Sequence, residues 1–74
     1  MLLKSCLYRN GTSFKEVLFE AHTYTYVVKC RNLSGKAERP TLSDTFDSYT
    51  CAKDMYECHK DFLEAYGYKL ITEN

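Results

Sequence analysis

The chain is poor in the features that usually announce chemistry. It contains no CxxC pair, no internal repeat, no low-complexity run and no composition break that would mark an interdomain linker. Ten Lys and Arg balance ten Asp and Glu, so the large positive charge of a strong nucleic-acid binder is missing. Long apolar runs are missing too. Met1-Leu2-Leu3 meets a charge at Lys4, which predicts neither a signal peptide nor a membrane span. A mature secreted chain with an added Met would begin the same way. Proline occurs once, at Pro40, which cannot donate to a sheet ladder and so fits an edge.

What is present is a globular composition, 45% hydrophobic and 27% charged, in a chain of 74 residues that predicts a single compact domain over 1–74. That length is near the lower limit at which one core stabilises a chain unaided. Seven Tyr and four Phe are many for this size. Tyrosine suits positions with one edge buried and the other wet, in a small core or at an interaction surface.

The clearest segment runs from Ser48 to Gly67. Helical steps place Cys51, Ala52, Met55, Tyr56, Cys58, His59, Phe62, Leu63 and Tyr66 on one face. Thr50, Lys53, Asp54, Glu57, Lys60, Asp61 and Glu64 fall on the other. Asp47 or Ser48 can cap the start, and Gly67 can take the left-handed conformation that ends a helix. So wide an apolar face needs a sheet to pack on.

The remaining sequence supplies strands. Leu2 to Tyr8 reads as the first, and Asn10-Gly11 as a type I′ hairpin turn. That turn sets Leu7 opposite Phe14 and Leu3 opposite Leu18. A rival helix over 13–21 has a capping-box form at Ser13-Phe14-Lys15-Glu16, but the strand is the preferred reading. His22 to Arg31, dense in Thr, Tyr and Val, is the best strand. His22, Tyr24, Tyr26, Val28 and Cys30 are expected to face the helix, and Thr23, Thr25, Val27, Lys29 and Arg31 the solvent. Lys36 to Leu42 is expected to return as an edge strand compatible with Pro40. Ser43 to Asp47 links into the helix, and Tyr68 to Thr72 is a short last strand. The expected fold class is therefore α+β: a small antiparallel sheet of three to five strands with one long amphipathic helix, about 48–66, packed on one face.

Charge is uneven along the chain. Residues 1–39 hold seven Lys/Arg against three acids, and residues 40–74 hold three against seven. A basic platform under an acidic helical cover follows, with the two halves attracting each other.

Chemistry is harder to find. His59 beside Cys58 is a candidate base or metal ligand, yet adjacent residues are not a usual ligand pair, and no cofactor or metal is expected. Cys6, Cys30, Cys51 and Cys58 are even in number, and Asn10-Gly11-Thr12 and Asn32-Leu33-Ser34 are glycosylation sequons. Both fit a secreted disulfide-stabilised domain. Against it, Cys51 and Cys58 are roughly 10 Å apart along one helix and cannot pair. All four suit small buried hydrophobes, so reduced, buried thiols in the cytoplasm are the expectation. The carboxylate pairs Asp44/Asp47 and Glu57/Asp61 fit helix-start charges or a solvated face. The chain is expected not to be an enzyme.

The most informative surface is Thr25, Val27, Lys29, Arg31, Lys36 and Arg39. It reads as a binding face for a larger protein target, as in an inhibitor or adaptor. In size and character the chain is similar to the small phage-encoded inhibitors of host or defence proteins, an analogy at the level of fold alone. The alternative is a nucleic-acid-binding sheet face, though the RRM, KH and zinc-finger signatures are all lacking. Homodimerisation through an edge strand or the helix is also compatible with so small a domain.

Overall fold

The computed structural model describes residues 1–33 and 42–74. Its elements, in chain order, are β1 (Leu2–Asn10), β2 (Ser13–Ala21), β3 (Tyr26–Asn32), β4 (Leu42–Phe46), α1 (Tyr49–Ala65) and β5 (Lys69–Glu73). The strands form one antiparallel sheet in the order β4-β3-β2-β1-β5, and α1 packs across one face of it. The expected α+β class, with a five-stranded sheet and one helix, is what the chain adopts.

Strand alternation makes β4 and β5 run in the same direction at opposite edges, and α1 carries the chain from one to the other. Seventeen helical residues span about 25 Å, enough to cross five strands about 4.8 Å apart. Both helix ends form as the sequence predicts. Ser48 Oγ accepts the Cys51 N–H at 3.4 Å. At the other end Gly67 has φ +88°. Its N–H donates to Glu64 O and that of Tyr68 to Leu63 O, the paired bonds of a Schellman stop.

The β1–β2 hairpin forms with a different turn from the expected one. Asn10 pairs with Ser13, so the two loop residues are Gly11 and Thr12. Gly11 has φ +63° and no other residue of the loop has positive φ, the pattern of a type II′ turn, which needs glycine only at its first position. The pairing therefore shifts by two: Leu7 faces Glu16, and Ser5 faces Leu18. A shift of two keeps Leu7, Phe14 and Leu18 on one face, but the irregularity between Leu2 and Lys4 turns Leu3 to the core instead. The face shared by Leu7, Phe14 and Leu18 is nevertheless the one away from the helix, because Cys6, Tyr8, Val17 and Phe19 form the core side.

Other boundaries move for local reasons. His22 to Thr25 form the β2–β3 loop, closed by His22 N–H to Thr25 O at 2.8 Å. Tyr24 is 90% exposed rather than core, and His22 is exposed too. The edge strand is Leu42–Phe46, running through the segment expected to be a linker; an edge strand wet on both sides needs few apolar residues. The expected return over 36–42 lies, apart from Leu42, outside the described residues.

The core joins Cys6, Tyr8, Val17, Phe19 and Val28 of the sheet to Ala52, Tyr56 and Leu63 of α1. Phe19 is its centre, with ring centroids 5.4 Å from Tyr49, 6.0 Å from Tyr56 and 6.2 Å from Tyr26. The buried helix stripe is narrower than the sequence predicts. Cys51, Cys58, Phe62 and Tyr66 are exposed, since only Ala52, Tyr56 and Leu63 point at the sheet's middle.

Two contrasts test this packing. Phe19→Ala should cost about 3–5 kcal/mol in urea unfolding, a large share of the stability of so small a domain, whereas Phe62→Ala should cost under about 1 kcal/mol. Tyr8 Oη is buried and makes no hydrogen bond, but Tyr56 Oη donates to Glu73 at 3.0 Å. Tyr8→Phe should be neutral or stabilising, and Tyr56→Phe should destabilise by about 1.5–3 kcal/mol, in the same unfolding measurement.

Candidate functional site

Two surfaces stand out: the sheet face that no described element covers, and a cleft where α1 overhangs β3 and β4. The uncovered face is built by alternation. From β1 it takes Leu7 and Arg9, from β2 Phe14, Glu16, Leu18 and Glu20, and from β3 Val27, Lys29 and Arg31. Leu7, Phe14, Leu18 and Val27 are each half-buried, forming an apolar band across the central strands.

The charges beside that band are largely neutralised from within. Arg31 forks onto Glu16, with Nε to Oε1 at 2.9 Å and the second bond from its terminal nitrogen. Lys29 Nζ lies 3.2 Å from Glu20 Oε2. Glu20 also bonds His22 at 2.9 Å; that bond, with the nearby Lys29, holds its carboxyl below the usual range. Arg9 sits 5.6 Å over the Phe14 ring.

Of the six residues expected to bind a partner, Val27, Lys29 and Arg31 share this face. Thr25 lies in the β2–β3 loop, not on the strand, which begins one residue later. Lys36 and Arg39 lie outside the described residues. Glu16 and Glu20 were missed as members of the face. The signal for them was the hairpin register, since antiparallel pairing around a loop at 22–25 sets Glu16 opposite Arg31 and Lys29 diagonal to Glu20. A basic stripe becomes a row of ion pairs.

The cleft lies on the helix side and has a volume of about 270 Å³. Met55, Cys58, His59 and Phe62 recur at the i, i+3, i+4, i+7 spacing of one helix face and meet Cys30 and Leu42 of the sheet, with Leu63 and Lys15 completing the walls. His59 contributes to these walls, but its Nε2 is buried away from solvent and makes no hydrogen bond. Burial raises the Cys30 thiol pKa, while Lys15 pulls it the other way. All four cysteines are free, but Cys51 and Cys58 are exposed and only Cys6 is fully buried. That corrects the expectation of four buried thiols.

A third polar cluster ties α1 to β5. Glu73 Oε2 accepts from Tyr56 Oη at 3.0 Å and from Lys60 Nζ at 2.7 Å. The Lys60 bond, followed by the Tyr56 bond, holds the Glu73 carboxyl below its ordinary range; the same bond raises Lys60. The cluster acts as a brace between α1 and β5.

Among the described residues no group of three or more His, Cys, Asp and Glu side chains converges as metal ligands would, and no helix is long and apolar enough to cross a membrane. No known protein family, curated protein or solved structure matches this chain.

The brace predicts a pH dependence. Because the folded Glu73 pKa lies below its ordinary value of 4.5, its contribution is complete above that value and is lost as pH falls through the folded pKa. Urea midpoints of the wild type should drop on acidification below pH 4.5, and Glu73→Gln should show a smaller drop over the same window, from a lower starting stability.

Proposed function

We propose that this chain is a non-enzymatic binding module, an inhibitor or adaptor that occupies the surface of a larger protein with its uncovered sheet face. The observation that carries the reading is the apolar band of Leu7, Phe14, Leu18 and Val27 next to the ion pairs Glu16–Arg31 and Glu20–Lys29. A nucleic-acid groove keeps its cations free for phosphates, whereas here Lys29 and Arg31 are already engaged by carboxylates. Such a band suits a partner with an apolar patch of its own, rimmed by charges of both signs.

Five strands about 4.8 Å apart give a face wide enough to bury on the order of 1,000 Å² in total, the low end for a specific complex. Binding by occupancy needs no reacting group, which agrees with the absence of any catalytic motif in the sequence. The acidic outer face of α1, with Asp54, Glu57, Asp61 and Glu64, supplies solubility on the side turned away from the partner.

The test is affinity capture from lysate with and without nuclease, using wild type and Leu18→Lys, each checked for folding by circular dichroism. One stoichiometric protein should be retained after nuclease by the wild type, and Leu18→Lys should bind it at least about tenfold more weakly. Loss of all captured material on nuclease treatment would replace this reading with the nucleic-acid one. Equal retention by Leu18→Lys would move the contact off the sheet.

A further inference from the structure

Where the β1–β2 turn meets the helix stop, two cations face each other. Arg9 pairs with Lys69 across β1 and β5, which sets their Cβ atoms about 4.5–5.5 Å apart on one face. Like charges placed directly opposite work against the pairing of their strands. Lys29, Arg31 and Lys60 each meet a carboxylate. Arg9 and Lys69 meet none among the described residues.

Both residues line a hollow of about 350 Å³, together with Gly11, Gly67, Leu70 and Ile71, and no Asp or Glu belongs to the lining. The guanidinium is held beside the Gly11 wall. Arg9 Nε donates to Gly11 O at 2.8 Å, and Cζ lies 5.6 Å from the centroid of the Phe14 ring. Nε is spent on that bond, which leaves the N–H groups of the two terminal nitrogens for a ligand. Lys69 is exposed, and its flexible four-carbon stem lets Nζ close on an anion already held by Arg9. Nothing stands within 4 Å of where a Cβ on Gly11 would be, so the approach over the turn is open. Asn10 Nδ2 donates to Tyr66 O at 3.3 Å, tying the hairpin tip to the end of α1 below the hollow.

We propose that this hollow binds a phosphate dianion, free or as the head of a small ester, with the Arg9 terminal N–H groups and Lys69 Nζ donating to its oxygens. Arg matches phosphate oxygens with two parallel bonds, and Lys adds a point charge. Above about pH 7 a phosphate monoester carries close to two charges. One such group offsets both cations, which a monoanion does not. Leu70 and Ile71, 45% and 51% exposed, offer an apolar wall to the organic body of an ester. The site adjoins the uncovered sheet face at its β5 margin and does not rest on the protein-binding reading.

The probes are phenyl phosphate, inorganic phosphate and benzoate, titrated above about pH 7 at a constant ionic strength of about 0.15 M. In ¹H–¹⁵N NMR at least one phosphate should give saturable shifts at Arg9, Gly11 and Lys69, with a midpoint under about 10 mM. Tighter binding of phenyl phosphate assigns the ester, and equal or tighter binding of inorganic phosphate assigns the free ion. Benzoate should bind at least about tenfold more weakly than the better phosphate. Lys69→Gln, on an exposed edge strand, should weaken that phosphate by about tenfold. Lys53→Gln, on α1 and outside the lining, should leave it unchanged. Both variants are checked for folding by circular dichroism. The proposal is overturned if neither phosphate saturates, if benzoate binds equally, if the shifts fall on another surface, or if the two variants behave alike.

Discussion

The constraint behind most of this molecule is that one helix has to cover five strands. An α-helix is about 10–12 Å across with its side chains, while the sheet is roughly twice as wide. The helix can therefore seal only a band over the middle of one sheet face. That band is where Phe19 gathers Tyr26, Tyr49 and Tyr56 and where Ala52, lacking a long side chain, lets the backbone come close. Among the described residues the other sheet face stays open, and so do the margins of the covered one. On the β5 margin the gap is closed by polar groups, with Glu73 bonded to Tyr56 and Lys60. On the β3–β4 margin it is left as an apolar cleft.

How far the sequence told this in advance depended on the range of the interactions involved. Both helix ends were legible, because a cap is settled within four residues: Ser48 to Cys51, and Leu63 to Gly67 and Tyr68. The hairpin was legible in kind but not in register. Asn10-Gly11 and Gly11-Thr12 are competing two-residue loops one position apart, and both satisfy the alternation of side chains. Which face of the hairpin is core was decided at long range, by the helix choosing Tyr8, Val17 and Phe19 over Leu7, Phe14 and Leu18. The start of β3 was misjudged for a similar reason. Thr, Tyr and Val favour strands wherever they stand, but residues 22–25 are needed to turn the chain, and propensity gives way to connection.

The charge pattern shows the same limit. Seven basic residues before position 40 and seven acidic ones after it suggest two halves drawn together. Among the described residues the recorded ion pairs fall within each half instead. Glu16 and Glu20 meet Arg31, Lys29 and His22, while Glu57 and Glu73 meet Lys60. A sum over forty residues has no register, whereas cross-strand and helical neighbours do. At about 8 Å of screening length, it is neighbours that decide where a charge is neutralised.

Neutralisation also bears on the role proposed for the uncovered sheet face. A broad, flat face buried against another protein must give up water over its whole area, and cations left unpaired there oppose association unless the partner supplies every counter-charge. Internal pairs such as Glu16–Arg31 and Glu20–Lys29 reduce that demand and leave the apolar band to provide the affinity.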